Sequence, residues 1–512
     1  MNEPLNRDIA AKVNRRIPAM GSPEKSDGDI VPKKLANKGA SVSAEQVEGR
    51  EPTKRNLEQT IASRTLSRGF ASQGLDKVRH RAEKDRLCVF NNLFQFIKVD
   101  LLRWSFYQLK RASAPGLDGM NWWEYELGLE ERLPELEREL HTGGYRATPD
   151  KRVYITKEDG QQRPIGIQSV EDKVVQKACV AILNEVFEPE FCGFSYGFRP
   201  ERSPHDALDA LHEGICRRKI NWVIDCDIAG FFDHIDHELL MGFVEKRIGD
   251  KRLLRLLRKW LRLGWEEDGV RHPRTEGTPQ GSVISPLLAN IMLNTVMDRW
   301  FGEWRRTQAK GDCIMVRFAD DAVMGFQYEW EAKAFLDALT LRLEKHKLTL
   351  HPEKTRLIEF GRFAAPNRRK RGERKPETFD FLGFTHSCGK TRNGKFKIER
   401  RTISKRLRRK LKEIKWELIR RINESLTNIG KWLGSVVRGF TRYYAVPGNM
   451  DAVREFYTQI GRYWHWVIRR RSHKARQRWT WERFYRLQER WIPRPRVAHP
   501  YPGERYDVKY SR

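Results

Sequence analysis

The chain has 512 residues, with 98 Lys+Arg against 68 Asp+Glu, a formal net charge of +30 and a pI near 9.9. Hydrophobic residues reach only 39%, yet 16 Trp, 14 Tyr and 25 Phe are too many large apolar side chains for a disordered chain. A basic folded protein implies an anionic partner, nucleic acid before membrane, and no run of about 18 apolar residues exists to span a bilayer.

Residues 1–85 read as a flexible leader, rich in Pro, Gly, Ser, Lys and Glu, with no apolar segment that would direct secretion. From Arg86 an apolar-periodic stretch, VFNNLFQFIKVDLLRWSFYQLKR, predicts helix up to the breaker Ala114-Pro115-Gly116. LEERLPELERELHTGG predicts a second helix that stops at Gly143-Gly144, and RVYITKEDGQQRPIGI predicts two strands around Glu158-Asp159-Gly160. Ser169 followed by Asp172 is a capping start to the helix SVEDKVVQKACVAILNEVF. NWVIDCDIAGFFDHID predicts a strand entering a turn, HELLMGFVEKRI an amphipathic helix, CIMVRFADDAVMGFQ a hairpin and AKAFLDALTLRLEKHKL another helix. Beyond Lys390 the chain becomes basic and helical, and from Ser472 it is basic, Trp-rich and broken by prolines. Cys88, Cys179, Cys192, Cys216, Cys226, Cys313 and Cys388 form no C-x-x-C pair, which disfavours a zinc site or disulfide framework and fits a reducing cytoplasm.

Asp320 and Asp321 interrupt an otherwise apolar hairpin. Adjacent carboxylates raise each other's pKa, and a divalent cation would remove that penalty; taken alone, the pair is equally an ordinary turn. Alternation in Trp222–Ile228 puts Val223, Asp225 and Asp227 on one strand face, just before Gly230, Phe231 and Phe232. A strand Asp beside a hairpin Asp pair suits two-metal phosphoryl or nucleotidyl transfer.

FADD on a hairpin resembles the YxDD signature of reverse transcriptases, and DIAGFFDHID resembles their first catalytic strand. YITKEDGQQRPIGIQSVEDKVVQ, FEPEFCGFSYGFRPERSPHDAL, GTPQGSVISPLLANIMLN and FDFLGFTH follow the family's order, and over roughly residues 86–500 the chain resembles bacterial group II intron reverse transcriptase/maturases. The resemblance implies an α+β right-hand polymerase: fingers with an N-terminal extension over 86–220, a palm with an antiparallel catalytic sheet over 221–389, an α-helical thumb (maturase domain X) over 390–471, and a basic tail over 472–512. It implies two Mg²⁺ ions, replaceable by Mn²⁺, on Asp227, Asp320, Asp321 and the backbone carbonyl of Ile228. It selects Asp227 over Asp225 and Asp233. It implies nucleotide contacts from Lys157, Arg163 and Gln280, with Phe232 excluding a ribose 2′-hydroxyl, though Phe232 also reads as a core aromatic. It places Phe318, Leu382 and Gly383 beside the primer and template. Phe318 replaces the commoner tyrosine, and Ala229 stands where many relatives carry Lys or another polar residue.

From Arg401 to Arg420 there are nine Lys/Arg and two Glu, and seven of the 16 Trp lie in 401–512. Such an excess suits phosphate neutralisation, with aromatic and Arg stacking on unpaired bases, although charge runs are usually solvated faces. Arg406, Arg408, Arg409, Arg438, Arg442 and Tyr443 are the candidate RNA contacts. The partners implied are the parent intron RNA, an RNA template with DNA primer, target DNA and dNTPs. No H-N-H endonuclease is expected in the 472–512 segment. The leading function is RNA-directed DNA synthesis with assistance to intron splicing and mobility; a splicing-only maturase and a reverse transcriptase recruited to phage defence are the alternatives.

Overall fold

Helix α1 (residues 74–84) sets Leu75, Val78 and Ala82 at helical spacing into the largest core. Part of the stretch expected to be a leader up to residue 85 is therefore packed; residues 1–73 of it lie outside the described residues. The computed structural model describes residues 74–156, 160, 162–391 and 393–503.

Helices α2 (Val99–Tyr107), α3 (Trp122–Leu127) and α4 (Leu129–Thr142) follow. Asn121 caps α3 in a reciprocal box with Glu124, and Gly143 ends α4 in a left-handed conformation, as its sequence predicts. The stretch 89–110 is less regular than its periodicity predicts, with a bridge at Phe90 and a 3-10 turn over Phe94–Phe96 before α2. Strands β1 (Asp150–Thr156) and β2 (Gln162–Ile167) pair antiparallel; α5 (Val170–Phe187) is capped by the Ser169 hydroxyl accepting from the Asp172 N–H. Then come α6 (Pro204–Arg217), β3 (Trp222–Cys226), α7 (His237–Glu245) and α8 (Lys251–Arg262). Short strands β4 (Trp265–Glu267) and β5 (Val270–His272) extend the β1–β2 sheet in the order β2-β1-β4-β5.

Helices α9 (Ser285–Leu293) and α10 (Arg299–Thr307) run on through a π-helical turn, Asn294–Asp298. Strands β6 (Cys313–Phe318) and β7 (Asp321–Phe326), helix α11 (Glu329–Glu344) and β8 (Arg356–Glu359) complete an antiparallel sheet ordered β6-β7-β3-β8. Its two faces feed two cores. Ile224, Met315, Met324 and Phe326 join Phe335 and Leu339 of α11 on one side. Val223, Val316, Val323 and Ile358 join Ala207, Leu208 and Leu211 of α6 on the other. Period-two alternation with apolar residues on both faces accounts for a sheet buried on both sides.

After α12 (Ala364–Lys370), β9 (Phe379–Phe381), β10 (Phe384–Lys390) and β11 (Phe396–Thr402) form a third sheet. Helices α13 (Ser404–Arg420), α14 (Leu426–Tyr444), α15 (Met450–Arg469), α16 (His473–Arg478) and α17 (Trp481–Trp491) close the described chain. Leu411, Leu418, Leu433, Phe456 and Trp464 share a third core with Phe484 and Ile492. In the segment beyond residue 471, expected as a basic tail, α17 places an apolar face in the core of α13–α15. Among the described residues no helix is long and apolar enough to cross a membrane, and all seven cysteines are free thiols.

Candidate active site

The β6–β7 register pairs Phe318 with Asp321, leaving Ala319 and Asp320 as a two-residue turn. Ala319 has φ 59°, a left-handed conformation that costs a non-glycine residue about 1–2 kcal/mol. Buried contacts hold it there. The Arg317 guanidinium, 0% exposed, donates to the Ala319 carbonyl (2.8 Å), to Asp298 Oδ1 (2.7 Å) and to Asn290 Oδ1 (3.0 Å). Asn290 in turn donates to the Gly197 carbonyl at 2.8 Å. The Phe194–Tyr196 stretch exchanges backbone hydrogen bonds with Arg317 along the free edge of β6. A Cβ on Gly197 would lie 2.2 Å from the Ala319 nitrogen, so only glycine lets this segment reach the turn.

Asp227 follows β3 directly, and the neighbouring pair Cys226–Ala322 brings it alongside Asp321. Its backbone is fixed from the β8 side, where its carbonyl accepts from the His351 N–H at 2.8 Å. Ile228, 2% exposed, bridges Leu350. The Asp320 carboxyl is raised above the usual range by desolvation and by Asp227, against the opposing effect of its own backbone N–H, Arg163 and Arg317. Asp321 retains accessible surface yet is also raised, by desolvation first and then by Asp320, Asp227 and Asp225, with Arg406 opposing. Asp225 pairs with Arg356 at 3.3 Å at the sheet edge, a supporting position.

Among the described residues no three His, Cys, Asp or Glu side chains converge as a ready metal shell. At Asp227 the Oδ2 lies 2.9 Å from Lys354 Nζ. The chemistry of the donor set nevertheless fits a hard divalent cation. Three aspartates lie at one sheet end, and burial first and then their neighbouring carboxylates disfavour the charged forms of Asp320 and Asp321, a penalty a cation would relieve.

The other expected residues fall into two groups. Around the cleft, Arg163 is exposed on β2 and acts electrostatically on Asp320. Gln280 accepts from the Gly166 N–H through its carbonyl (2.9 Å) and donates its side-chain amide to Asp233 (3.2 Å). Phe232 is half-buried in the Phe231–Asp233 turn, its carbonyl accepting from the Thr278 N–H at 2.7 Å, and its ring meets Phe231 edge-on. Phe318 lies 6.3 Å from the Phe198 ring. Leu382 and Gly383, at φ 47° and 83°, form the tight β9–β10 turn, and the Leu382 carbonyl accepts from Tyr443 Oη at 2.8 Å. A Cβ on Gly383 would come within 3.3 Å of the Arg406 guanidinium, which joins α13 to this turn and, through its field, to Asp321.

The remaining basic candidates lie elsewhere on the helices. Arg408 and Arg409 are exposed on α13, Arg409 paired with Glu413 at 3.5 Å; Arg438 and Arg442 are exposed on α14. Lys157, with Glu158 and Asp159, lies outside the described residues.

Sequence reasoning missed Arg317, Asp298, Asn290, Gly197 and Lys354. The signal for the first was present, since one arginine in an otherwise apolar strand demands a buried partner. Nothing local marks Lys354.

The reverse transcriptase (RNA-dependent DNA polymerase) family matches residues 155–386. Protein YkfC of Escherichia coli is 38% identical over 225 residues, 41% of this chain and 58% of that protein. Group II intron-encoded protein LtrA of Lactococcus lactis is 34% identical over 230 residues, 43% of this chain and 37% of LtrA. Nuclear intron maturase 1 of Arabidopsis thaliana is 29% identical over 92 residues, 18% of this chain and 13% of that protein. The matched stretch spans less than two thirds of each relative. Residues 155–386 thus form a reverse transcriptase domain, similar in sequence to the group II intron-encoded protein LtrA.

Proposed function

We propose that this protein is an RNA-directed DNA polymerase of a group II intron, copying RNA from a DNA primer with dNTPs and binding the intron RNA to assist splicing and mobility. The observation that carries the reading is the placement of Asp227, Asp320 and Asp321 at one end of the β6-β7-β3-β8 sheet, with Arg163 and Arg406 acting on Asp320 and Asp321 from β2 and α13. In the right-hand description, residues 86–220 serve as fingers, 221–389 as palm and 390–471 as thumb, the packing of α17 extending the thumb beyond its expected end.

Asp227, Asp320, Asp321 and the Ile228 carbonyl would hold the divalent ions, Mg²⁺ by donor type. When bound, these ions supply positive charge that favours an ionised primer 3′-hydroxyl and offsets charge developing at phosphorus. Arg163, with Lys157 by resemblance, orients the triphosphate. Gln280 shapes the nucleotide floor, and Phe232 excludes a ribose 2′-hydroxyl. The Leu382–Gly383 turn and Arg406 hold the primer end. Exposed Arg408, Arg409, Arg438 and Arg442, with Tyr443 nearby, contact RNA. Seven free thiols suit a reducing cytoplasm. Primer extension on an RNA template by the purified full chain, absent in Asp320→Ala, tests the reading; extension by the variant at the parent rate rejects it.

A further inference from the structure

Between the end of α4 and one face of α8 lies a cavity of about 180 Å³, and none of the residues assigned to the polymerase site lines it. Its apolar lining includes Phe94 and Leu256; its polar lining is cationic, from Arg146, Arg252, Arg255 and Lys259, with no carboxylate among the lining residues. Three of these cations follow one another at i, i+3 and i+7 along α8, so the helix presents them on a single face.

Part of this charge has a local account. Lys259 Nζ donates to the Tyr145 carbonyl at 2.6 Å, and Arg146 donates to the Gly143 carbonyl at 3.4 Å, just where α4 ends. Asp250 lies 3.7 Å from Arg252. A helix C-terminus carries only about half a negative charge, and Asp172 is the carboxylate that acts favourably on Lys259, so the cations of Arg146, Arg255 and Lys259 are only partly offset. Burial, with the Arg146 and Arg255 guanidiniums beside it, holds the Lys259 ammonium below its ordinary value. Three mutually repelling cations around an open cavity are what a tetrahedral dianion or a backbone phosphate would stabilise, through charge-assisted hydrogen bonds.

We propose that this cavity is a phosphate site in which Arg146, Arg255 and Lys259 seat a backbone phosphodiester of RNA outside the polymerase cleft. The inference rests on the RNA-binding part of the proposed function, and its deciding readouts are not polymerase activity. The same chemistry admits a terminal or free phosphate, and the test separates the two sources.

The full chain and its Arg146→Ala plus Arg255→Ala variant are titrated with a structured RNA carrying no primer, over a salt series. The slope of log affinity against log salt is expected to shrink by roughly 0.7–0.9 in the variant, the loss of one phosphate contact. The charge-preserving pair Arg146→Lys plus Arg255→Lys keeps most of the slope. In parallel, inorganic phosphate raises the melting temperature of the parent above that in chloride of equal ionic strength, and fails to do so in the alanine variant. A changed phosphate response with an unchanged RNA slope keeps the site and overturns the backbone source. An unchanged slope together with an unchanged phosphate response overturns the proposal. So does loss of extension on a primed template by a variant that melts like the parent, since the arginines would then act in the polymerase cleft.

Discussion

The guanidinium of Arg317 donates to the carboxylate of Asp298, and neither side chain has any solvent exposure. Asp298 sits in the π-helical turn between α9 and α10, and Arg317 in β6 also holds the Ala319 carbonyl. The pair thus ties a helical interruption to the turn that carries Asp320. Arg317→Met leaves a buried carboxylate without its partner and is expected to destabilise the fold by about 3–5 kcal/mol. Adding Asp298→Leu recovers part of that stability, because an apolar pair leaves no charge behind. Primer extension stays low in the double variant, since the Ala319 carbonyl still lacks its donor. Denaturant unfolding and single-turnover extension on the same samples check both halves; restored extension in the double variant removes Arg317 as a positioning residue.

Asp320→Ala and Asp227→Ala are each expected to lower primer extension at least about 100-fold while RNA affinity stays within about twofold. Transition-state charge stabilisation depends on these carboxylates, whereas phosphate contacts come from the basic surface. Gel-shift titration beside extension assays reads both quantities. Parallel loss of both would mean the aspartates support the fold and not the reaction.

Lys354 lies on the Asp227 carboxylate although its own side chain is 62% exposed. A cation loading at Asp227 must displace it. Lys354→Met should therefore lower the Mg²⁺ concentration at half-saturation by a factor of about 1.5–5, the range set by an exposed ion pair of 0.2–1 kcal/mol. Metal-dependent melting, which needs no turnover, measures this. An unchanged or raised half-saturation would show that Lys354 does not compete for the site.

Phe232 is half-buried, its backbone anchored by Thr278, so its ring can be shortened without opening the main core. Phe232→Ala should raise ribonucleotide incorporation relative to deoxynucleotide at least tenfold, about 1.4 kcal/mol of discrimination. Competition between the two nucleotide types in single-nucleotide extension checks it; an unaltered ratio returns the ring to a packing role.

Arg406, Arg408 and Arg409 are neighbours in sequence with different surroundings. Arg406 meets the Leu382–Gly383 turn and the field of Asp321, while Arg408 and Arg409 face solvent. Arg406→Ala is expected to reduce extension more than RNA affinity. Arg408→Ala plus Arg409→Ala should do the reverse, shrinking the log–log salt slope by roughly 1.5–2. Equal effects of the two variants on both readouts would refute the division.

Local patterns were enough for the elements that house the site. The FADD hairpin, the strand before Asp227, the β1–β2 pairing and the Ser169 cap are written in alternation, turn residues and capping chemistry, which act over a few neighbours. The resemblance to group II intron reverse transcriptases was also legible, since ordered motif blocks survive without knowledge of contacts. Tertiary structure alone decided the rest. It joined Arg317 to Asp298, set Gly197 against Ala319, put Lys354 on Asp227, and separated Arg406 from the two arginines that follow it. It also drew α1 and α17 into cores that their charged sequences hid. These outcomes depend on burial and on partners 19 to 127 residues apart along the chain. Desolvation makes such pairings obligatory once the chain is compact, but no local periodicity says which partner will be there.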